Sequence, residues 1–505
     1  MSIPTTPQVT SPVPAAMAPA DVEAVARAAQ QAAPALAALP PRARAAALRA
    51  VADALGSHAD ELVGLAAAET HLADARLRGE LNRTQVQLRL FARTIEAGDY
   101  LDVRLDAADP GFVLGPRPDL RRTLWPVGPV LNFAASNFPF AFSVAGGDTV
   151  AALAAGCPVV VKAHPGHPGL SRRVAALVTE ALTAAGLPAG TFALVEGDDA
   201  GRALLAHPAV RAAAFTGSTR VGRLLADAAA ARPDPIPFYG ELGSLNPVLV
   251  TPAALAERGE EIARGWVASV SGSAGQLCTK PGFLLVPEGH GLEGVVAEAA
   301  AAVAEHPLLN PRVGAGYVAR RDAVLGTDGV TVLAEGAVAT DDDGTVRATP
   351  TLVATDLEAL RAHRDPVLEE TFGPFAVLVT YPAGTDLGAV VGELFAGELT
   401  ATVHRGSGES GELAGLLGTL GRHAGRVLVD GWPTGVAVTP AMQHGGPWPA
   451  TTSDGTSVGT AAIGRFLRGV TYQDAPQDAL PAPLQDGNPW GVPQARSGVG
   501  ESAHW

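Results

Sequence analysis

Cys278 stands in SGSAGQLCTKPG, where Ser271, Gly272, Ser273, Ala274 and Gly275 are all small. Small side chains let a backbone run close to a ligand and let the next thiol project into a cleft. That is the setting of a nucleophile, although free cysteine is also among the most often buried residues. Cys157, in ALAAGCPVVV, precedes a valine run and reads as core filling. Two cysteines so placed make neither a disulfide framework nor a metal-binding cluster, and no metal is expected. Glu241 lies in FYGELGSLNP between Gly240 and Gly243, neighbours that would let a carboxylate first take a proton and later aim a water. A surface glutamate at a loop end has the same local text. Asn137, in AASNFPFAF, follows an apolar run among aromatics; its amide suits a developing oxyanion, and equally a turn cap before Pro139.

A second group of residues suits a phosphorylated ligand. FTGSTRVG, from Phe215 to Gly222, places Gly217, Ser218 and Gly222 where a strand turns into a helix, so free N–H groups and the positive helix end face one point. It lacks both GxGxxG and a GK[ST] ending. Lysine occurs only at positions 162 and 280 while every other Lys/Arg position is arginine, which suggests that a compact ammonium is required at both places. Glu370 and Phe372, in LEETFGPF, precede a Gly-Pro turn; a carboxylate there suits a ribose or open solvent. His444 and Trp448, in AMQHGGPWP, are candidates to line a substrate pocket. The small polar residues Thr451, Thr452, Ser453, Thr456 and Ser457 just beyond suggest its polar end.

The elements that must position these groups follow from the rest of the text. At 505 residues, 47% hydrophobic and 17% charged, the chain can bury two or three cores. No run of about 20 apolar residues occurs, so no membrane span is expected. The opening MSIPTTPQVTSPVPAAMAP lacks a secretory pattern and reads as a loose lead-in, with the cytoplasm as the expected compartment. A net charge of −15 disfavours a nucleic-acid partner, because phosphate binding needs clustered cations. Residues from about 21 to 97 read as helices, and from about 101 to 125 as hairpins or an arm. From Val127 the short apolar runs VGPVLNFAA, CPVVVKA, TFALVEG and VRAAAFTGS alternate with helical text, the pattern of a parallel α/β sheet that binds ligands at its strand ends. A second such region begins near Pro247, with NPVLVTP, GFLLVPE, VTVLAEG and FAVLVTY as strands. The Pro- and Gly-rich tail beyond Val470 fits an ordered arm or a loose end.

Taken in order, SNFPFAF, VVVKAHP, FTGSTRVG, FYGELGSLNP, GQLCTKPG and EETFGPF resemble the aldehyde dehydrogenase superfamily, with Glu241 and Cys278 37 residues apart. The resemblance implies an α/β fold of two Rossmann-related parallel-sheet domains with a small oligomerisation arm. It implies a cofactor-binding domain over 1–100 and 126–243 and a catalytic domain over 244–440. The arm and a C-terminal substrate-pocket segment would take 101–125 and 441–505. It makes Cys278 the nucleophile, Glu241 the general base and Asn137 a side-chain donor to the oxyanion. Lys162, His164, Gly217, Ser218, Gly222, Glu370 and Phe372 become cofactor contacts, and His444 a substrate contact. Finer stretches, among them AMQHGGPWPATTSDGTSVGTAAIGRFLRGVTYQ and DALPAPLQDGNPWGVP, are similar to the NADP-using dehydrogenases of α-ketoglutarate semialdehyde (2,5-dioxovalerate). A long-chain fatty aldehyde branch shares several of them. NADP is therefore the expected cofactor, with NAD as the alternative, and a homodimer or homotetramer the expected assembly. Two departures stand out: Ser136 precedes Asn137 where Trp is usual, and His164-Pro165 follows Lys162 in place of Pro-Ser. The second bears on NADP against NAD, because that turn surrounds the 2′-phosphate. Transfer of the acyl group to CoA, and cofactor binding without turnover, are the competing activities.

Overall fold

The computed structural model describes residues 18–411 and 413–504; the expected loose lead-in falls almost wholly on residues 1–17, outside the described residues. The alanine- and leucine-rich N-terminal text forms four helices, α1 Pro19–Ala38, α2 Pro41–Ser57, α3 Ala59–Thr70 and α4 Asp74–Ala97. Proline begins α1 and α2, where its missing N–H costs nothing, and Gly98 ends α4 in the left-handed region. Leucines of α2 and α4, with Phe91 and Ile95, join the first core. The other side of α4 carries Arg76, Glu80, Arg83 and Gln87, spaced by three or four residues and so lying along one face.

Two strands follow, β1 Val103–Asp106 and β2 Leu120–Pro126, paired antiparallel as the arm-like text suggests. The first parallel sheet contains β3 Val130–Phe133, β4 Val159–Lys162, β5 Phe192–Val195, β6 Ala212–Thr216 and β7 Phe238–Glu241. Its helices are α5 Gly147–Ala155, α6 Pro168–Ala184, α7 Asp198–Ala206 and α8 Thr219–Ala230. The strand order β5-β4-β3-β6-β7 reverses direction between β3 and β6, which makes the carboxyl ends of those strands a ligand crevice. Asn137 follows β3, Lys162 ends β4, Gly217 and Ser218 follow β6, and Glu241 ends β7.

The second sheet begins with β8 Pro247–Val250 and, after helix α9 Pro252–Ser271, β9 Phe283–Pro287. Three short strands, β10 His306–Pro307, β12 Val338–Thr340 and β13 Val346–Ala348, form a side sheet. The main sheet adds β11 Thr331–Ala334, β14 Thr351–Asp356, β15 Phe375–Tyr381, β16 Glu398–His404 and β17 Ala424–Val429. Its order is β11-β14-β15-β9-β8-β16-β17, parallel except for β11. The sequence patterns anticipate β8, β9, β11 and β15 but not β16, ELTATVH, whose Glu398, Thr400 and Thr402 are all buried. Polar residues masked a core strand, because their partners lie far along the chain. The tail is ordered: β18 Leu467–Gln473 and β19 Gln494–Ser497 complete a four-stranded ribbon, β18-β2-β1-β19. Among the described residues no helix is long and apolar enough to cross a membrane.

Candidate active site

The loop that carries Cys278 leaves α9 in an unusual conformation. Ser273, Ala274 and Gly275 are successive left-handed residues, at φ 52°, 53° and 65°. Each non-glycine residue there costs about 1 kcal/mol or more, so neighbouring structure must hold the turn. A side chain at Gly275 would strike the backbone of Gly373 and Pro374. The small residues before Cys278 therefore allow one backbone to approach another, rather than a backbone to approach a ligand as their smallness first suggests. Asn246 pins the loop further on, its Nδ2 donating to the carbonyls of Cys278 (2.8 Å) and Lys280 (3.0 Å). Its Oδ1 accepts from Ser244 and Thr400, and Glu398 accepts from the Ser244 hydroxyl and the amides of Leu245 and Asn246. Burial pushes Glu398 up to about 7, with those donors working against the rise. The Lys280 ammonium donates to the carbonyls of Thr371, Gly373 and Phe375, which accounts for that lysine structurally.

Cys278 is half-buried, and its Sγ lies 3.3 Å from Nε2 of His444. Oε1 of Glu241 is 2.9 Å from the same nitrogen, so that one ring atom is shared between the sulfur and the carboxylate. The Ser457 hydroxyl donates to the other carboxylate oxygen of Glu241. Burial opposes charge on both Glu241 and His444, and their mutual attraction outweighs it. The Glu241 carboxyl is held below its usual range, and the imidazole is raised to about 10 by Glu241 and Cys278. The attraction favours an imidazolium beside the carboxylate, with Nδ1 of the ring buried and without a partner among the described residues. The Glu241 carboxylate can receive a proton from water. Ligand atoms of Glu241, Cys278 and His444 all lie within 4.8 Å of one another.

Asn137 is buried, and its Nδ2 donates to the carbonyl of Gln276 at 3.2 Å, which puts the amide beside the nucleophile loop. Its own segment is fixed from α4: Arg76 donates to the Asn137 carbonyl, and Glu80 accepts from the amides of Phe140 and Ala141.

His444 is thus placed against the thiol and the base, where the sequence suggests only a pocket wall. Trp448 is 48% exposed, with Arg223 over its ring, and does not share that position. Of the small polar residues expected at the pocket's polar end, all but Ser453 are occupied elsewhere. Thr452 donates to the Phe238 carbonyl, Thr456 to that of Val458, Thr451 to that of Ser453, and Ser457 to Glu241. What the local text does not reveal is the connection across the chain: Leu242 N–H donates to the Ala450 carbonyl, and Glu241 forms a bridge with Thr451, so the 450–457 segment braces the base.

The residues suited to a nucleotide gather at the strand ends. Ser218 caps α8, accepting from Val221, and it and Gly217 are exposed, so the first turn faces outward with free donors. At Gly222 a side chain would strike Leu242, so glycine there lets α8 pack on the sheet. Lys162 pairs with Asp198 at 2.6 Å. His164 is pushed down to about 3, mainly by burial and then by His167 and Lys162, and its Nδ1 accepts from Gly166. It is a neutral turn residue. Glu370 keeps part of its surface open, yet its carboxyl is deep enough that burial raises it to about 7 against the pull of Lys280. A side chain at Gly243 would meet both the Glu370 carboxylate and the Thr219 hydroxyl, so Glu370 stands at the start of α8; half-buried Phe372 follows it. These donors, with an exposed helix start, fit a dinucleotide.

The aldehyde dehydrogenase family profile matches residues 2–389. The chain belongs to the aldehyde dehydrogenase family. It is 45% identical over 498 residues to alpha-ketoglutaric semialdehyde dehydrogenase 2 of Azospirillum brasilense, covering 97% of this chain and 94% of that one. It is 43% identical over 450 residues to alpha-ketoglutaric semialdehyde dehydrogenase of Acinetobacter baylyi, covering 88% and 84%. Among solved structures, gamma-glutamyl-gamma-aminobutyraldehyde dehydrogenase from Burkholderia cenocepacia matches with a TM-score of 0.77 at 25% identity, over 90% of this chain and 89% of that one. As an aldehyde dehydrogenase the chain oxidises an aldehyde with a nicotinamide cofactor.

Proposed function

We propose that this aldehyde dehydrogenase oxidises 2,5-dioxovalerate to 2-oxoglutarate through a thioester on Cys278. The substrate rests on nearly full-length similarity to two dehydrogenases of that semialdehyde. The chemistry rests on the contact of Cys278 with His444 and of His444 with Glu241. Cys278 adds to the aldehyde carbon while Asn137 Nδ2 and the Cys278 N–H hold the oxyanion. The bound nicotinamide supplies the hydride acceptor. Glu241 then takes a proton from the water that hydrolyses the thioester, releasing acid and free thiol.

NADP is the favoured cofactor and NAD the second; the turn 163–166 itself carries no carboxylate, which supports a 2′-phosphate, while the Lys162 ammonium would have to turn from Asp198 to meet it. Lys162, His164, Gly217, Ser218, Gly222, Glu370 and Phe372 would hold it. On this reading 1–100 and 126–243 bind the cofactor and 244–440 carries the nucleophile. Residues 101–125 with 441–505 supply an arm whose edge strand β18 suits a homodimer or homotetramer. The enzyme would act in the cytoplasm.

The test is kcat/KM for 2,5-dioxovalerate and for a ten-carbon alkanal, each with saturating NADP and NAD. A preference for the alkanal by about tenfold, about 1.4 kcal/mol of transition-state binding, would reassign the substrate to fatty aldehydes. Product formation that requires CoA would reassign the second half-reaction to acyl transfer, and absence of turnover would leave a binding protein.

A further inference from the structure

A 2-oxo acid semialdehyde brings a carboxylate into the pocket, and a buried carboxylate needs a cation or several donors. The hydroxyls of Thr451, Thr452, Thr456 and Ser457 are committed to other bonds, which leaves only the Ser453 hydroxyl in that stretch and no cation. Four arginines approach the site, and one of them, Arg465, whose charge reaches Glu241, is paired with Asp148 at 2.6 Å. Arg76 is spent on the Asn137 carbonyl and on Glu80, 3.8 Å away. Arg426, whose charge reaches Cys278, donates to the carbonyls of Gly435 and Pro433. Among the described residues Arg83 makes no hydrogen bond or ion pair, and its Nη1, like Nη1 of Arg76 and Nε of Arg426, is buried without a partner.

The position of Arg83 is set by aromatic contacts. Its guanidinium lies 5.3 Å from the centre of the Phe142 ring, and that ring lies 6.0 Å from the imidazole of His444, which touches Cys278. The charge of Arg83 is felt by both Cys278 and Glu241. Four residues along the same face of α4, Gln87 is 2% exposed, and neither its Oε1 nor its Nε2 has a partner. Buried polar groups in native proteins are nearly always satisfied. Yet Arg76, Glu80, Arg83 and Gln87 on this one face all carry buried atoms without a hydrogen-bond partner among the described residues. That cluster marks a place for polar ligand atoms, with Arg83 its one cation not otherwise bonded.

We propose that Arg83 is the specificity-determining anchor for the substrate carboxylate, holding the oxo-acid end of a five-carbon semialdehyde while its aldehyde carbon meets Cys278. This rests on the semialdehyde reading above. Arg83 touches no reacting atom of the aldehyde, so it governs which aldehyde is held rather than how it reacts.

The experiment compares kcat/KM for 2,5-dioxovalerate with that for pentanal, a neutral aldehyde of the same length, in the wild type, Arg83→Leu and Arg83→Lys. In Arg83→Leu the ratio of the two should fall about a hundredfold, about 2.8 kcal/mol at about 1.4 kcal/mol per tenfold, with most of the loss in KM. Arg83→Lys, which keeps the charge but not the planar fork, should restore about tenfold of it. An unchanged ratio in Arg83→Leu, or equal losses for both aldehydes, overturns the anchor while leaving the substrate reading in place. A wild-type ratio near one overturns the substrate reading and the anchor with it. If Arg83→Leu does not fold, as judged by thermal unfolding, the ratio in Arg83→Lys decides: no change there overturns the proposal.

Discussion

Cys157 and Cys278 each follow a stretch of small residues, and each thiol has a polar atom nearby. Cys157 is fully buried beyond Gly156, which caps α5, and its thiol donates weakly to the Phe466 carbonyl at 3.5 Å. Burial pushes it up to about 12, so it is a filler of the first core. Cys278 is more open and faces an imidazole raised by a carboxylate. What separates the two thiols is therefore their surroundings: Cys157 is sealed in the first core, whereas Cys278 is half-buried with a buried imidazole at its sulfur.

The comparison breaks most sharply at Cys278 itself. Cys278→Ser should lower steady-state oxidation by at least about a thousandfold with cofactor affinity almost intact, read by turnover and by cofactor fluorescence titration. Retention of most activity would remove the nucleophile.

Glu241→Gln keeps the shape and removes the base. Turnover should fall about a hundredfold after a stoichiometric burst of reduced cofactor, because the thioester forms faster than it is hydrolysed. Disappearance of the burst would assign Glu241 to activating the thiol instead.

His444→Asn should slow alkylation of Cys278 by iodoacetamide at pH 7 about tenfold. The sign of the pH effect follows from the raised imidazole. In the folded enzyme the imidazole keeps its charge until pH climbs through about 10, and the charge is lost above that. Wild-type kcat/KM should therefore decline near pH 10, and the variant should lack that limb.

The smallest effect is expected at the other cysteine. Cys157→Ala should cost about 1 kcal/mol of stability, seen as a lower midpoint of urea unfolding, with kcat unchanged. Loss of turnover at full stability would make the two thiols more alike than their surroundings suggest.

Much of this arrangement is legible in the sequence where partners are close along the chain. The four apolar runs from Val127 became β3 to β6, and the turn after β6 became the exposed start of α8. Cys278, Glu241 and Asn137 are noticed through their small or aromatic neighbours, and the fold does bring them into one place. The text does not convey what joins them. His444 is remote from both Cys278 and Glu241 in sequence, Ser457 reads as a substrate contact until it is found donating to Glu241, and Arg83 is one arginine among many on a helix. Lys280 shows the converse: its rarity signals a requirement, and the requirement is for three backbone carbonyls.

The bracing of Glu241 by residues 450–457 also has a consequence for the order in which the protein is made. His444 leaves the ribosome 166 residues after Cys278, long after both the thiol and the strand bearing Glu241 have been synthesised. Until that segment arrives, the thiol has no imidazolium and the carboxylate has no serine donor. The growing chain thus carries Cys278 and Glu241 without these contacts, which form only when the strands of both sheets have been made and the last segment arrives.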